Sequence, residues 1–178
     1  MKFNARSRGF SLLELVMVIG LVGFLASALY ERVQFYQERA EYAVMELTAS
    51  AIRSGLKFRV AAYILKRSTS EVLQLNKENP VHWLSEIPSN YAGEFSGEFA
   101  DGVAPGNWYY DPSERVMVYV VRHRNHFEPN PTDGFRVRFK VRVDYGTILD
   151  ANGQALGSDG FKTIAFEAVR PYRWFAEP

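Results

Sequence analysis

Cysteine is absent from this 178-residue sequence, which excludes disulfide bonds, cysteine-ligated zinc and cysteine nucleophiles. An excess of either charge is absent too, because 21 lysines and arginines stand against 20 acidic residues. Without a large basic excess, the chain has no bulk electrostatic attraction for nucleic acid. Nucleophile elbow, P-loop and HExxH motifs are also missing, so we predict no enzymatic activity and no cofactor.

Charge is scarce in one region. Residues 10–30 contain one charged side chain, Glu14, whereas residues 1–9 contain three cations and no acid. A helix of 21 residues, rising about 1.5 Å per residue, matches the hydrocarbon core of a bilayer, which is about 30 Å thick. The positive-inside bias keeps the cations in the cytoplasm and places the residues after about 30 outside. The sequence therefore predicts a transmembrane helix over 10–30.

A cleaved secretory signal is the alternative interpretation of this segment, because Ala26-Ser-Ala28 resembles a signal-peptidase site. The apolar run is, however, longer than the roughly 7–15 residues of a usual signal core. A carboxylate at the depth of Glu14 costs on the order of 2.5–3.5 kcal/mol in lipid and serves no purpose in a discarded segment. These two features favour a retained anchor in which Glu14 has a partner or a function.

Glu14 belongs to an ordered motif, Arg8-Gly9-Phe10-Ser11-Leu12-Leu13-Glu14-Leu15. It resembles the processing site of type IV pilins and of the pseudopilins of type II secretion systems. In that family a short basic leader ends in glycine, the mature chain begins with phenylalanine and its fifth residue is glutamate. The resemblance implies cleavage between Gly9 and Phe10 by a prepilin peptidase, and methylation of the Phe10 amine. It also implies that Glu14 pairs with the terminal amine of a neighbouring subunit during assembly.

Two glycines, Gly20 and Gly23, lie within the apolar run, and each costs about 1 kcal/mol relative to alanine in helix propensity. Close helix packing in the membrane is one explanation for them. The resemblance implies another, that this stretch unwinds when subunits enter a filament. Many pilins carry a proline near the end of this run, but Ala26 to Ala40 contains none, so any melting here would depend on the glycines.

The helical pattern continues beyond the span. From Glu31 to about Arg67 there is no proline, and apolar or small residues recur at spacings of three and four, which predicts one helix to about Arg67. We expect the rear half of this face to pack under a C-terminal head and the front half to contact other subunits. The face consists of Val33, Tyr36, Ala40, Ala43, Leu47, Ala51, Ser54 and Phe58.

The head begins with a short helix and a long connection. Ser68-Thr-Ser-Glu71 predicts a capping box that opens a helix through Leu75, and one further helical turn is expected around 81–85. The Gly-rich stretch 92–106 predicts a surface connection without regular structure.

Strand patterns fill the rest of the head. Residues 108–121 predict a hairpin around a turn at 111–114, and residues 162–169 predict the last strand. Between them, residues 135–145 alternate strictly, with an apolar residue at every odd position. We therefore predict an α+β, pilin-like fold in which a long N-terminal helix, transmembrane in its first half, packs against an antiparallel sheet. The predicted divisions are a leader (1–9), an assembly helix (10–30), its extramembrane continuation (31–67) and a head (68–178).

The other face of the alternating strand carries four cations, Arg136, Arg138, Lys140 and Arg142. An anion-binding or DNA-binding face is one interpretation. The interpretation that we favour is a solvated sheet face with acidic cross-strand partners such as Glu167.

Signals for metal binding are weak, and we predict no metal site. His123 and His126 have a compatible spacing, but no carboxylate or cysteine motif accompanies them. Asp150-Ala-Asn-Gly-Gln154 resembles the start of a calcium loop without the terminal glutamate of an EF-hand. Asn-Gly is a strong hairpin signal, so we favour a turn there, with calcium binding as the alternative.

With its resemblance, the sequence predicts a structural subunit, and a minor one, of a type IV pilus or a type II secretion pseudopilus. Before assembly it would cross the inner membrane once, with the head in the periplasm. Its partners would be other pilin or pseudopilin subunits, prepilin peptidase, the inner-membrane assembly platform and lipid, and we do not expect nucleic acid among them. The alternative is a secreted or membrane-anchored domain that binds a ligand or DNA and has an ordinary signal sequence.

Overall fold

A computed structural model describes residues 10–149 and 155–175 of the chain. The chain divides into two compact units, residues 1–39 and 40–178. The long helix α1, Leu12–Leu65, contributes residues to both. The predicted leader and the predicted turn at 150–154 lie outside the described residues.

Helix α1 ends close to the predicted position, and its C-terminus shows why it stops there. The Arg67 N–H donates to the Ile64 carbonyl and the Ser68 N–H donates to the Tyr63 carbonyl, both at 3.0 Å. Arg67 has a positive φ of 58°. This pair of bonds around a left-handed residue is a Schellman motif, which satisfies two of the last carbonyl groups of the helix.

The described part of the first unit is helical from Leu12 onward, and its surface is apolar over residues 10–30 apart from Glu14. Residues 10–33 are all exposed, including large apolar side chains such as Leu13 and Phe24, each 72% exposed. An 18-residue window of α1 near the N-terminus reaches a mean hydropathy of 2.4, and the helix is long and apolar enough to cross a membrane. The structure therefore contains the helix that the transmembrane prediction requires.

The second unit contains a five-stranded sheet in the order β1-β2-β3-β5-β6 and a small two-stranded sheet of β4 and β7. Neighbouring strands are antiparallel except for β1 and β2, which are parallel. The strands are β1 Tyr91–Glu94, β2 Trp108–Asp111, β3 Val116–Val120, β4 Phe127–Glu128, β5 Arg136–Leu149, β6 Ala155–Ala168 and β7 Arg173–Trp174.

The predicted alternation along β5 is confirmed. Val137, Phe139 and Val141 are each less than 5% exposed and belong to the main core of the second unit. Residues of α1 and Trp108 of β2 join them in the same core. The predicted α+β fold is therefore confirmed: a long N-terminal helix packs against a mostly antiparallel sheet.

The prediction of which face of α1 packs against the sheet is wrong. The residues that enter the core are Met45, Ala49, Ile52, Leu56 and Val60. The predicted face is exposed at every one of its eight positions. Two stripes with helical spacing lie side by side on α1. The buried one carries more of the larger aliphatic side chains, whose burial stabilises the fold, although the exposed one also includes Leu47 and Phe58.

The capping box at the start of the head is not formed, although the helix itself is present. Helix α2 spans Thr69–Gln74, and its N-cap, Ser68, makes no side-chain capping hydrogen bond. The Ser68 backbone carbonyl instead accepts from the Glu71 N–H at 3.2 Å. The further turn expected around 81–85 is a 3-10 helix over Pro80–Trp83, capped by the Asn79 side chain.

The connection and the last strand also differ from expectation. The stretch predicted to be irregular contains β1, which pairs in parallel with β2, and a 3-10 helix over Gly97–Gly102. The strand predicted at 162–169 begins at Ala155, and β7 follows it. Both β1 and β7 are short strands that exist through pairing with distant residues, so local sequence patterns do not indicate them.

Candidate functional site

The candidate site is the start of α1. Gly9 lies outside the described residues, and Phe10 is the first residue that the structure describes. A hydrogen bond of 3.0 Å from the Leu15 N–H to the Ser11 carbonyl begins the helical pattern. Glu14 lies in the first turn of the helix, where a carboxylate interacts favourably with the helix dipole.

Glu14 is an isolated charge on an apolar surface. It is exposed, as are its apolar neighbours Leu13 and Leu15. The described part of the chain provides no ion pair for it. In lipid such a carboxylate is expensive unless a cation of another molecule pairs with it.

Gly20 and Gly23 lie inside a continuous stretch of α1. A Cβ atom added at either position would meet nothing within 4 Å. Close packing within this chain therefore does not explain the glycines. Packing against another molecule and local melting both remain consistent with this open position.

The row of cations on β5 lies among carboxylates. Arg136 pairs with Asp101, and the ion pair of Arg142 with Glu167 across to β6 measures 2.8 Å. Lys140 is exposed. This arrangement is the one expected of a solvated sheet face, and it leaves little unbalanced positive charge for an anionic polymer.

Arg138 is the most enclosed member of this row. It pairs with Glu114 and, at 3.2 Å, with Asp133, which also pairs with Arg170 at 3.3 Å. Burial lowers the pKa of Arg138, but hydrogen bonds and charge from Glu114 and Asp133 outweigh it and raise the pKa. Arg138 therefore has a structural role. It holds the turn between β2 and β3, through Glu114, and the segment just before β5, through Asp133, against β5.

The side chains of the two histidines, His123 and His126, have different neighbours. His123 Nδ1 lies 2.6 Å from the Glu41 Oε2 atom, and His126 stacks on Phe175 with ring centroids 5.5 Å apart. Among the described residues, no group of three or more His, Cys, Asp or Glu could hold a metal ion.

Glu41 is a buried carboxylate that sequence reasoning missed. Its side chain is 7% exposed. Its oxygens accept hydrogen bonds from the Tyr119 hydroxyl at 3.0 Å, the Arg122 N–H at 2.7 Å and the His123 N–H at 2.8 Å. Burial and the neighbouring Glu41 charge together raise the pKa of Tyr119. Glu41 thus ties α1 to the segment that follows β3.

A second carboxylate on α1, Glu46, binds the C-terminal region of the second unit. It accepts from the Tyr172 hydroxyl at 2.7 Å and from Arg53 at 3.2 Å. Arg53 also donates to the Phe166 carbonyl at 3.1 Å. Glu41 and Glu46 flank the buried stripe of α1, so a correct assignment of that stripe would have indicated them.

The comparisons with known proteins concern only the start of the chain. A family model described as the prokaryotic N-terminal methylation motif matches residues 4–30. This motif is the hallmark of type IV pilins and pseudopilins, and the long helix packed on a sheet fits their fold. Searches of curated proteins and of solved structures found no match. The motif at residues 4–30 supports a pilin-like or pseudopilin substrate of prepilin peptidase, and the comparisons match no other part of the chain.

Proposed function

We propose that this chain is a structural subunit, and a minor one, of a type IV pilus or a type II secretion pseudopilus. The observation that carries the proposal is the order of Gly9, Phe10 and Glu14 before a lipid-length apolar helix. The alternative, an ordinary secretory signal followed by a ligand-binding or DNA-binding domain, predicts removal of the apolar segment.

Processing is the first step of the proposed function. Prepilin peptidase cuts between Gly9 and Phe10 on the cytoplasmic side, and the new Phe10 amine is then methylated. The cut removes the three cations of the leader and leaves the apolar helix as an anchor. It also creates an α-amine, which is mostly cationic near neutral pH because its ordinary pKa is about 7.7–8.0.

Assembly is the second step, and Glu14 determines its register. The Glu14 carboxylate of an incoming subunit pairs with the Phe10 amine of a subunit already in the filament. The absence of an ion pair for Glu14 in the described part of its own chain supports this role. In a medium of low dielectric constant the pair is far stronger than in water, so the correct register is selected over neighbouring ones.

The remaining proposed properties concern location and partners. Residues 10–30 anchor the subunit in the inner membrane before assembly, and residues 31–178 lie in the periplasm. The inner-membrane assembly platform and other pilin or pseudopilin subunits are its partners. Gly20 and Gly23 let the helix melt locally when it leaves the bilayer, since each glycine weakens the helix by about 1 kcal/mol.

The test is the N-terminus of the mature protein, determined by mass spectrometry on membranes of a host with prepilin peptidase. We expect N-methylated Phe10 as the first residue, and unprocessed Met1 in a strain without the peptidase. A mature chain that begins at Leu29 would contradict the proposal and support the secretory alternative.

The substitution Gly9→Ala is the matched check on this result. It should leave the protein in the membrane but unprocessed, because the leaders of the family that the motif resembles end in glycine and the substituted position precedes the apolar helix. Co-purification of the processed protein with pilus fibres or with a secretion complex then separates the two filament types.

A further inference from the structure

The face of α1 that the core leaves open carries a seven-residue repeat. Between residues 44 and 65, apolar or small side chains recur at alternating spacings of three and four, which is the a/d pattern of a coiled coil. All of these side chains are exposed, and the exposed fraction reaches 77% at Phe58 and 85% at Leu65. We name this row the heptad seam, and it consists of Val44, Leu47, Ala51, Ser54, Phe58, Ala61 and Leu65.

The spacing of the heptad seam indicates what kind of surface covers it. A row of side chains that repeats every 3.5 residues keeps facing one partner only when that partner is a second helix with the same repeat. No part of the chain that the structure describes covers the seam, since all seven of its side chains are exposed. The cover is therefore a helix of another molecule, and a second copy of α1 has the required repeat.

A groove of about 440 Å³ lies beside the heptad seam. One wall is α1, including Ala51 and Phe58 of the seam, and the other wall belongs to the segment 83–88. Gly55 allows the two walls to approach, because a Cβ atom at this position would lie 3.2 Å from the Trp83 Cβ atom. The segment 83–88 therefore lies along one flank of the seam, where it can contact a helix that packs on the seam.

The charges on the two flanks of the seam are complementary. The flank beside the segment 83–88 has the uncharged residues Thr48, Gly55 and Ala62 on α1, and the segment itself adds Glu86. The opposite flank carries Lys57. Both Lys57 and Glu86 are exposed, and neither has an ion-pair partner among the described residues. In a parallel pair of helices the first flank of one copy meets the opposite flank of the other, so Glu86 of each copy lies beside Lys57 of its neighbour.

We propose that two copies of this chain pair in the membrane through the heptad seam, as a parallel two-fold dimer with two ion pairs between Lys57 and Glu86. The inference rests on the membrane anchor of the proposed function, because two copies anchored in one bilayer have the same polarity and a high effective concentration. That concentration compensates for a short seam that contains alanine and serine.

The dimer has a consequence for filament assembly. A two-fold contact uses the same face on both copies and closes on itself, so it leaves none of that face for a further neighbour. The dimer is therefore a storage form of the subunit in the membrane. It must open before the seam can contact another subunit in a filament.

The test is disulfide cross-linking, and the absence of native cysteine means that each introduced cysteine reports one position. Full-length Ala51→Cys, Ser54→Cys and Ala61→Cys variants are oxidised in membranes of a host that has prepilin peptidase but lacks the filament assembly machinery. Each seam position faces its equivalent across a parallel pair, within the roughly 7 Å between Cα atoms that a disulfide tolerates. We expect covalent dimers from all three variants. Dimers from one position, as in an antiparallel pair, or from none would overturn the proposal.

Ser50→Cys is the matched control, because Ser50 is an exposed serine of α1 about one turn from Ser54 and lies on the flank that carries Lys57. Equivalent flank positions of a parallel pair are too far apart for a disulfide. This variant should therefore give no covalent dimer. Equal yields from Ser50→Cys and Ser54→Cys would show random collision in the membrane and would overturn the proposal.

The ion pairs are tested by co-expression of Lys57→Glu and Glu86→Lys, each with Ser54→Cys and its own tag. A homodimer of either variant has like charges at both contacts, whereas the mixed dimer has opposite charges at both. We expect the cross-linked heterodimer to exceed the two homodimers together at least about threefold, where indifferent association gives about equal amounts. Equal amounts would refute the contact between Lys57 and Glu86, and with it the second copy as the partner.

This inference and the proposed function fail in different ways. A mature chain that begins at Phe10 but gives no cross-linked dimer would remove the dimer and leave the filament role intact. A mature chain that begins at Leu29 would remove the anchor on which both depend.

Discussion

The apolar span of the first unit and the sheet-containing second unit differ in how their charged side chains are paired. In the second unit, charged side chains meet partners from distant parts of the same chain, as Arg138 does with Glu114, and Glu41 with the segment after β3. In the first unit, Glu14 stands on an exposed apolar helix, and the described residues offer it no ion pair. These charged groups of the second unit are paired within the chain, whereas residues 10–30 of the first unit expose an apolar surface of the kind that lipid or another protein covers.

A related contrast, between a buried face and an exposed face, occurs on α1 within the second unit. Ile52 is fully buried in the core, and Phe58, less than two turns further, is 77% exposed. One face of this helix is already used by the fold, and the opposite face is open. The open face is therefore available for contacts between subunits along a longer part of the helix than the sequence pattern predicts.

The largest expected effect comes from neutralising the isolated charge of the first unit. Glu14→Gln should reduce incorporation into filaments by at least about tenfold, since the proposed ion pair with the Phe10 amine is lost in a medium of low dielectric constant. Its level in the membrane should not fall, because a neutral amide is less costly in lipid than a carboxylate. The measurement is the ratio of the protein in sheared filaments to that in membranes.

Glu31→Gln is the control for this prediction, since Glu31 is also an exposed glutamate of α1 but follows the apolar span. It should assemble like the unmodified protein. Normal incorporation of the Glu14 variant would remove the contrast between the two units.

The second prediction concerns the two faces of α1. Ile52→Ala should lower the free energy of unfolding by about 2–5 kcal/mol, because it leaves a cavity in a packed core. Phe58→Ala should change it by less than about 0.5 kcal/mol, because the exposed ring loses little buried area. Chemical unfolding of the full-length protein in nanodiscs measures both, and comparable losses would show that the faces are not distinct.

The smallest predicted effect concerns Asp111, a carboxylate of the second unit that accepts several hydrogen bonds. Asp111 Oδ1 accepts from the Ser113 N–H at 2.9 Å and from the Ser113 hydroxyl, with longer bonds from Glu114 and Ser96. Burial opposes ionisation, but these hydrogen bonds outweigh it and hold the pKa of Asp111 below its ordinary value of 3.8. A lowered folded-state pKa stabilises the fold above the unfolded pKa, and this stabilisation is lost as pH falls through the folded pKa.

Asp111→Asn keeps the accepting oxygen and removes the charge, so we expect a loss of about 1 kcal/mol at neutral pH. The difference from the unmodified protein should shrink below about pH 4 and vanish once Asp111 is protonated in the folded state. Thermal unfolding over a series of pH values measures it. A difference that stays constant over this pH range would contradict the assignment.

Much of the fold is predictable because its signals are local. Alternation along β5 and the hairpin of β2 and β3 depend on neighbouring residues, as does the end of α1 near Arg67. The buried face of α1 is not local information, since two adjacent stripes both have helical spacing. Side-chain volume does not separate them, because the buried stripe contains Met45, Ile52 and Leu56 while the exposed one contains Leu47 and Phe58.

The residues of interest likewise differ in whether the sequence alone indicates them. Glu14 is detectable from sequence because a lone charge in a lipid-length apolar run is energetically anomalous. Glu41 is not detectable in that way, since a glutamate on a polar part of a helix is ordinary until the chain folds around it. The groove beside the heptad seam also depends on residues far apart in the sequence, those of α1 and of the segment 83–88.

The sequence by itself determined the apolar span, the processing motif, the single charge within the span and the alternation that makes β5 a half-buried strand. These are properties of consecutive residues, and the physics of lipid transfer and of strand geometry acts on them directly. Only the tertiary structure decided which face of α1 is buried, which cations of β5 are neutralised and where a groove forms beside α1. Those outcomes depend on groups far apart in sequence, and contact between them exists only after the chain has folded.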